Sequence, residues 1–74
     1  MNNNLKAIRI LYRNWKGNLK WREITPITMV YMKSEYYDEP QWFIEAFDQE
    51  KAKVRHFAVK NILSFNNEEL RHGS

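Results

Sequence analysis

The amino-acid sequence predicts an all-β protein, namely a small five-stranded antiparallel barrel. Short stretches in which apolar and polar residues alternate recur along the chain, and polar turns separate them. The chain has 74 residues, which is enough for a single domain of this kind. A helix across residues 23–31 is disfavoured by Thr25-Pro26 and by the β-branched residues around that pair.

The central strand is predicted over residues 41–48, where side chains alternate with the period of a strand. Its predicted core face is Trp42, Ile44 and Ala46, and its predicted outer face is Phe43, Glu45 and Phe47. Trp42 is therefore expected to be a main core residue, and truncating it to alanine is expected to cost about 3–5 kcal/mol of stability. The outer face carries aromatic rings around a charge, and we expect it to line a shallow site.

The other elements follow in chain order. Further strands are predicted over residues 5–12, 19–24, 27–33 and 54–65. Gly17-Asn18 suits the positive φ of a hairpin turn between the first two strands. Pro26 has no amide hydrogen for a strand ladder, so it marks a strand start, an edge or a bend. A short helical turn is predicted at residues 59–62, and the polar ends, 1–4 and 66–74, are expected to be flexible.

One hydrophobic cluster is expected at the centre of this domain. Its predicted members are Ile8, Ile10, Trp42, Ile44, Ala46, Phe57, Val59 and Ile62. The chain contains no cysteine, so no disulfide compensates for the small size of the core. These side chains must therefore supply most of the stability.

The composition argues against several function classes. No cysteine-based metal site is possible, and His56 and His72 have neither a third ligand at metal spacing nor a partner nucleophile. No metal site and no catalytic residue are therefore predicted, and an enzyme is the least supported class. The chain has no signal peptide and no apolar run near the roughly 18–20 residues that cross a bilayer. We expect a cytoplasmic protein without membrane contact.

Charge is unevenly distributed along the chain. Residues 1–33 carry seven Lys or Arg and one acid, residues 34–50 carry six acids and no base, and residues 51–74 carry five bases and two acids. The net charge is +3. The first strand is predicted to have a basic outer side, and the acids of the middle segment are predicted to form a solvated loop and turn.

Three short motifs, in a fixed order, resemble those of a known family. Trp42-Phe43-Ile44 stands where the WYL domain has its Trp-Tyr-Leu run. Arg22-Glu23-Ile24-Thr25-Pro26 matches an Arg-x-Val-x-Pro pattern, and Arg55-His56-Phe57 matches an Arg-x-Phe pattern. The chain thus resembles the WYL domain family over roughly residues 7–62.

The resemblance implies an Sm-like five-stranded barrel that acts as a regulatory or ligand-sensing module. Such domains are commonly attached to DNA-binding domains of bacterial transcription regulators, and nucleotides or single-stranded nucleic acid are their usual ligands. Only Arg22, Phe43 and Arg55 match the family's motifs as ligand-binding residues, and no cofactor is implied. Ala58 and Asn61 stand where the family has basic residues. No helix-turn-helix pattern precedes the domain, so a separate DNA-binding protein is the expected partner.

Two other functions are compatible with the sequence. The chain is alternatively a protein-protein interaction module without a small ligand, or a phage- or plasmid-type protein whose ligand site has decayed. Trp15 and Trp21 flank the first hairpin and are expected to pack across it, with base stacking as the alternative. Pro26 and the basic first strand protect strand edges, so a monomer or weak dimer is expected. The functional hypotheses differ in whether Arg22, Phe43 and Arg55 converge on one concave face.

Overall fold

The computed structural model describes residues 6–66 as one antiparallel sheet of five strands. The strands are β1 Ile8–Arg13, β2 Leu19–Met32, β3 Gln41–Asp48, β4 Lys53–Ala58 and β5 Ile62–Asn66, and a 3-10 turn, Val59–Asn61, precedes β5. The all-β class and the short helical turn are thus confirmed. The predicted flexible ends lie outside the described residues, except for Asn66, which closes β5. No helix within residues 6–66 is long and apolar enough to cross a membrane.

The sheet is curled, but strand pairing does not close it into a barrel. Its order is β4-β3-β2-β1-β5, so the described parts of β4 and β5 are its two edges. Tyr12 of β1 nevertheless reaches β4: its hydroxyl accepts the Ala58 amide at 2.9 Å, and its ring meets Phe57 edge-on at 5.0 Å. The 3-10 turn carries the chain from one edge to the other instead of forming a hairpin. The predicted closed barrel is therefore corrected to an open, curled sheet.

The hydrophobic core lies inside this curl. Its buried members are Ile10, Tyr12, Ile24, Ala46 and Phe57, and Ile8, Ile44 and Ile62 pack against them partly buried. Six of the eight predicted core residues are therefore in or against the core. The two exceptions are Val59, which is half-buried in the 3-10 turn, and Trp42.

Trp42 and Phe43 have the opposite burial from the one predicted. Trp42 is 51% exposed, whereas Phe43 is 1% exposed. Phe43 is covered by Tyr37, which belongs to the connection between β2 and β3 and lies 6.0 Å away between ring centroids. Trp42 contacts the ring of Tyr31 on the neighbouring strand, which is itself exposed. The loop thus encloses Phe43, and a period of two in the sequence contains no information about the loop.

Pro26 does not end a strand, because β2 continues through it for 14 residues. Pro26 pairs with Ala46 of β3, and the register then shifts so that Thr28 pairs with Glu45 and Ile27 is the extra residue. A bulge of this kind accommodates a residue that lacks an amide hydrogen. The predicted strands 19–24 and 27–33 are therefore one bent strand, which pairs with β1 through its first half and with β3 through its second.

The first turn forms where it was predicted, with a positive φ at Gly17 but not at Asn18. Gly17 has a φ of +91°, which glycine adopts without strain, and its amide donates to the Asn14 carbonyl at 2.8 Å. The Asn14 side-chain oxygen accepts the amides of Lys16 and Asn18, both at 2.9 Å. This turn presents Trp15 at the rim of the site described next.

Candidate functional site

A groove of about 400 Å³ lies between the first turn, the connection from β2 to β3, and β4. Its lining includes Trp15, Tyr36, Tyr37, Phe43, Arg55 and His56, and we call it the aromatic groove. Two of the three residues carried over from the family motifs, Phe43 and Arg55, are thus on one groove. Lys53 adds a second cation to its lining.

Stacked rings form the rim of the aromatic groove. Trp15 lies on Tyr36 with 5.1 Å between ring centroids and 22° between planes, and both side chains are more than half exposed. The Ser34 hydroxyl accepts the Tyr36 amide at 3.0 Å, which fixes the loop side of the pair. The prediction that Trp15 packs across the first hairpin is corrected, because its partner is the loop. Open faces of this kind are suited to stacking against a planar ligand.

A buried polar network supports the floor of the groove. The Tyr12 hydroxyl is hydrogen-bonded to Tyr37, and the Tyr37 hydroxyl accepts Asn61 Nδ2 at 3.0 Å. Burial raises the pKa of Tyr12, and its hydrogen bond to Tyr37 raises it further. Tyr12 therefore stays protonated throughout the physiological range. The network joins β1, the loop and the 3-10 turn, so it holds Tyr37 over Phe43.

Asp48 lies at the centre of a cluster of charges at the end of β3. Its Oδ2 accepts Arg22 Nη2 at 2.6 Å and Arg55 Nη1 at 3.4 Å, and its Oδ1 accepts the amides of Glu50 and Lys51 at 3.0 and 3.2 Å. The Asp48 side chain is fully buried, that of Arg22 is 11% exposed and that of Arg55 is 37% exposed. Two guanidinium groups thus share one buried carboxylate.

The two arginines of this cluster differ in how completely they are paired. Arg22 has the short contact with Asp48 and a second acid, Glu50, at 3.8 Å. Among the ion pairs within residues 6–66, Arg55 has only the long contact with Asp48, and its guanidinium also lies 5.9 Å from the Phe57 ring. Arg55 is therefore the arginine that is available to a ligand, whereas Arg22 is held by the fold.

The residues carried over from the family motifs do not converge on one exposed face. Arg22 and Arg55 meet at Asp48, but Arg22 lines a separate open cleft of about 770 Å³ beside Trp21. Phe43 is buried in the floor of the aromatic groove, so its ring offers no free face for stacking. Phe43 lies on the face of β3 opposite Ile44 and Ala46, as predicted, but the exposure expected for it is wrong, and the exposed rings of this groove are those of Trp15 and Tyr36.

Sequence reasoning missed Asp48 as a structural acid. It was placed in a polar turn, although it follows Ala46 by two residues and therefore shares the core face of β3. A carboxylate at such a position needs a cationic partner, because an unpaired buried charge is costly. Alternation along β3 was a signal that could have identified it. No group of three His, Asp or Glu within residues 6–66 is arranged to hold a metal ion.

The charge cluster predicts how stability depends on pH. Burial raises the pKa of Asp48, but the Lys51 amide, the Arg22 guanidinium and the Glu50 amide outweigh it, so the pKa lies below its ordinary value of 3.8. The stability from this ionisation is present above that ordinary pKa and is lost as the pH falls through the lower pKa of the folded protein. Urea unfolding should therefore show the wild type losing stability relative to Asp48→Asn on acidification. A stability difference that is independent of pH would contradict this.

Comparison with known proteins agrees with the motifs. A family model described as WYL domain matches residues 3–66 of the chain. The match includes all five strands and every residue of the aromatic groove and the charge cluster. No curated protein matches the chain.

Proposed function

Because this chain belongs to the WYL domain family, we propose that it is a regulatory ligand-sensing module. Its site is the aromatic groove, and its ligand is a nucleotide or a short stretch of single-stranded nucleic acid. The observation that carries the proposal is that the incompletely paired Arg55 and the exposed Trp15–Tyr36 stack line the same groove. The role is binding rather than catalysis, and the output passes to a separate DNA-binding protein in the cytoplasm.

The chemistry of the groove suits a phosphorylated, planar ligand. A guanidinium binds phosphate oxygens in a bidentate manner, and Arg55 can turn from its 3.4 Å contact with Asp48 without leaving that carboxylate unpaired, since Arg22 remains. Lys53 and His56 lie on the same groove and add hydrogen-bond donors. A base stacked on an aromatic ring contributes about 1–3 kcal/mol. Arg55 therefore binds the phosphate of the ligand, and Trp15 and Tyr36 stack against its base.

Titrations at low salt with nucleoside monophosphates and with short single-stranded DNA and RNA test this proposal. Arg55→Ala is expected to lower the affinity for an oligonucleotide and to reduce the slope of log K against log salt by about 0.7, which is the contribution of one phosphate contact. Trp15→Ala is expected to lower the affinity by about tenfold and to leave the slope nearly unchanged. Isothermal titration calorimetry at several salt concentrations measures both quantities.

Lys51→Ala is the matched control for Arg55→Ala. It removes a cation from the turn between β3 and β4, outside the lining of the aromatic groove. Thermal unfolding of each variant establishes that the fold is intact before affinities are compared. The absence of binding to every probe, or an equal loss with Lys51→Ala, would refute the site.

A further inference from the structure

A free strand edge lies along the second half of β2. β1 pairs with β2 only as far as Ile24, and from there to Met32 the partner of β2 is β3 alone. The next amide that would face β1 belongs to position 26, and Pro26 has no amide hydrogen, so the pairing with β1 ends there. No strand within residues 6–66 pairs with this side of residues 28–32, which we call the β2 edge.

The backbone groups that point out from the β2 edge belong to Met29 and Tyr31. The Ala58 amide donates to a side chain of β1 and so points away from β3. Its partner in the ladder, Phe43, therefore directs its own backbone groups toward β2, where it pairs with Val30. Because neighbouring residues of a strand point to opposite sides, Met29 and Tyr31 direct their N–H and C=O groups to the free side.

The side chains beside these groups are apolar and exposed. Met29 and Tyr31 are 52% and 60% exposed, and Trp42, which pairs with Tyr31, continues the same face. No residue from 27 to 32 is charged. Edge strands are commonly protected by charge, and β1, whose basic side was expected to give such protection, lies inside the sheet. The β2 edge is therefore suited to pairing with another strand.

A second copy of this chain matches the β2 edge. When two such edges run antiparallel about a twofold axis at Val30, Met29 lies opposite the partner's Tyr31, and Tyr31 lies opposite the partner's Met29. All four residues direct a donor and an acceptor across the axis, so the two pairs exchange four hydrogen bonds. Each methionine then lies beside a tyrosine ring, a contact that its polarizable sulfur favours. No like charges meet.

The chemistry of the edge favours this occupant over a strand of another protein. With no charge, the edge has little with which to select a foreign sequence, whereas a second copy always supplies the same apolar pair in the matching register. The edge strand β4 differs, because self-pairing there would bring the cations Lys53 and Arg55 together. We propose that two copies of this chain associate through their β2 edges and form one continuous sheet across the twofold axis. The short edge makes this a weak dimer, with a Kd of about micromolar order.

Sedimentation equilibrium of the full chain, from about 1 µM to about 1 mM, measures the association. The variant Met29→Lys with Tyr31→Lys sets lysine opposite lysine twice and should raise Kd at least about tenfold. The variant Met29→Lys with Tyr31→Glu sets opposite charges across the same pairs and should dimerise at least about tenfold more tightly than the double-lysine variant. Such a recovery requires that positions 29 and 31 of two copies face each other.

Met29→Pro tests the backbone pairing separately. It removes an outward amide that β3 does not use, so the fold should be retained while two of the four hydrogen bonds between the copies are lost. Kd should rise about tenfold or more. Phe65→Lys is the matched control, because Phe65 is 61% exposed on the edge strand β5, and it should leave Kd unchanged. Circular dichroism establishes that each variant is folded.

A wild-type chain that is monomeric at every concentration would overturn the proposal. Dimerisation only after removal of residues 1–5 would overturn it too, since those residues would then be the occupant of the edge. A dimer that the double-lysine variant leaves intact, that Phe65→Lys weakens equally, or that the lysine–glutamate variant does not recover would show that the contact lies elsewhere.

Discussion

Asp48→Ala is expected to lower the free energy of unfolding by about 3–5 kcal/mol, which is the usual cost of removing one partner of a buried ion pair. The loss has two sources. Arg22, at 11% exposure, is left with a buried charge and only the more distant Glu50 as a partner. The amides of Glu50 and Lys51 also lose the oxygen that orders the turn after β3. Urea unfolding followed by circular dichroism measures the change.

A double variant separates the two sources of this loss, namely the unpaired charge of Arg22 and the lost hydrogen bonds of the turn after β3. Asp48→Asn keeps a side-chain oxygen for the two turn amides but removes the negative charge. Adding Arg22→Met then removes the buried cation while preserving much of its volume, and Arg55 is exposed enough to turn toward water. The double variant should therefore be more stable than Asp48→Asn alone. If the losses from Arg22→Met and Asp48→Asn simply add, the two side chains do not stabilise the fold as a pair.

The five-strand count was predicted correctly through two errors that cancel. Residues 19–33 were divided into two strands at Pro26, and residues 54–65 were taken as one strand with a helical turn inside it. The structure joins the first pair as β2 and separates the second segment into β4 and β5. Proline is a strong local signal for a strand end, but β2 continues because it has a different partner on each side of the bulge. Whether a strand continues or ends therefore depends on pairing between segments that are distant in the sequence. A local sequence pattern contains no information about that pairing.

The motifs found the arginines of the site but not the groove. Arg22 and Arg55 are 33 positions apart in sequence, and the antiparallel register of β2, β3 and β4 brings both to Asp48. The rim, by contrast, depends on two loops. Trp15 and Tyr36 lie in turns, where side chains follow no regular alternation. Their stacking depends on the path of the chain through those two turns. The motifs therefore identified the two arginines of the charge cluster, whereas neither Asp48 between them nor the Trp15–Tyr36 stack was predicted.

Phe43→Ala and Trp42→Ala are expected to have very different effects on stability, although the residues are adjacent. Phe43 is among the largest fully buried side chains, and truncation leaves a cavity beneath Tyr37, at a cost of about 3–5 kcal/mol. Trp42 is half exposed and loses mainly its edge contact with Tyr31, so about 1 kcal/mol or less is expected. Alternation along β3 alone predicts the reverse order.

Thermal unfolding distinguishes the two orders, because each kcal/mol lowers Tm by about 4–8 °C in a domain of this size. Phe43→Ala should unfold well below the wild type, and Trp42→Ala should remain close to it. Phe43→Leu is the conservative control: it refills much of the space under Tyr37 and should recover part of the loss. A Trp42→Ala loss equal to that of Phe43→Ala would mean that Trp42 is covered in solution, either by the chain itself or by a second copy.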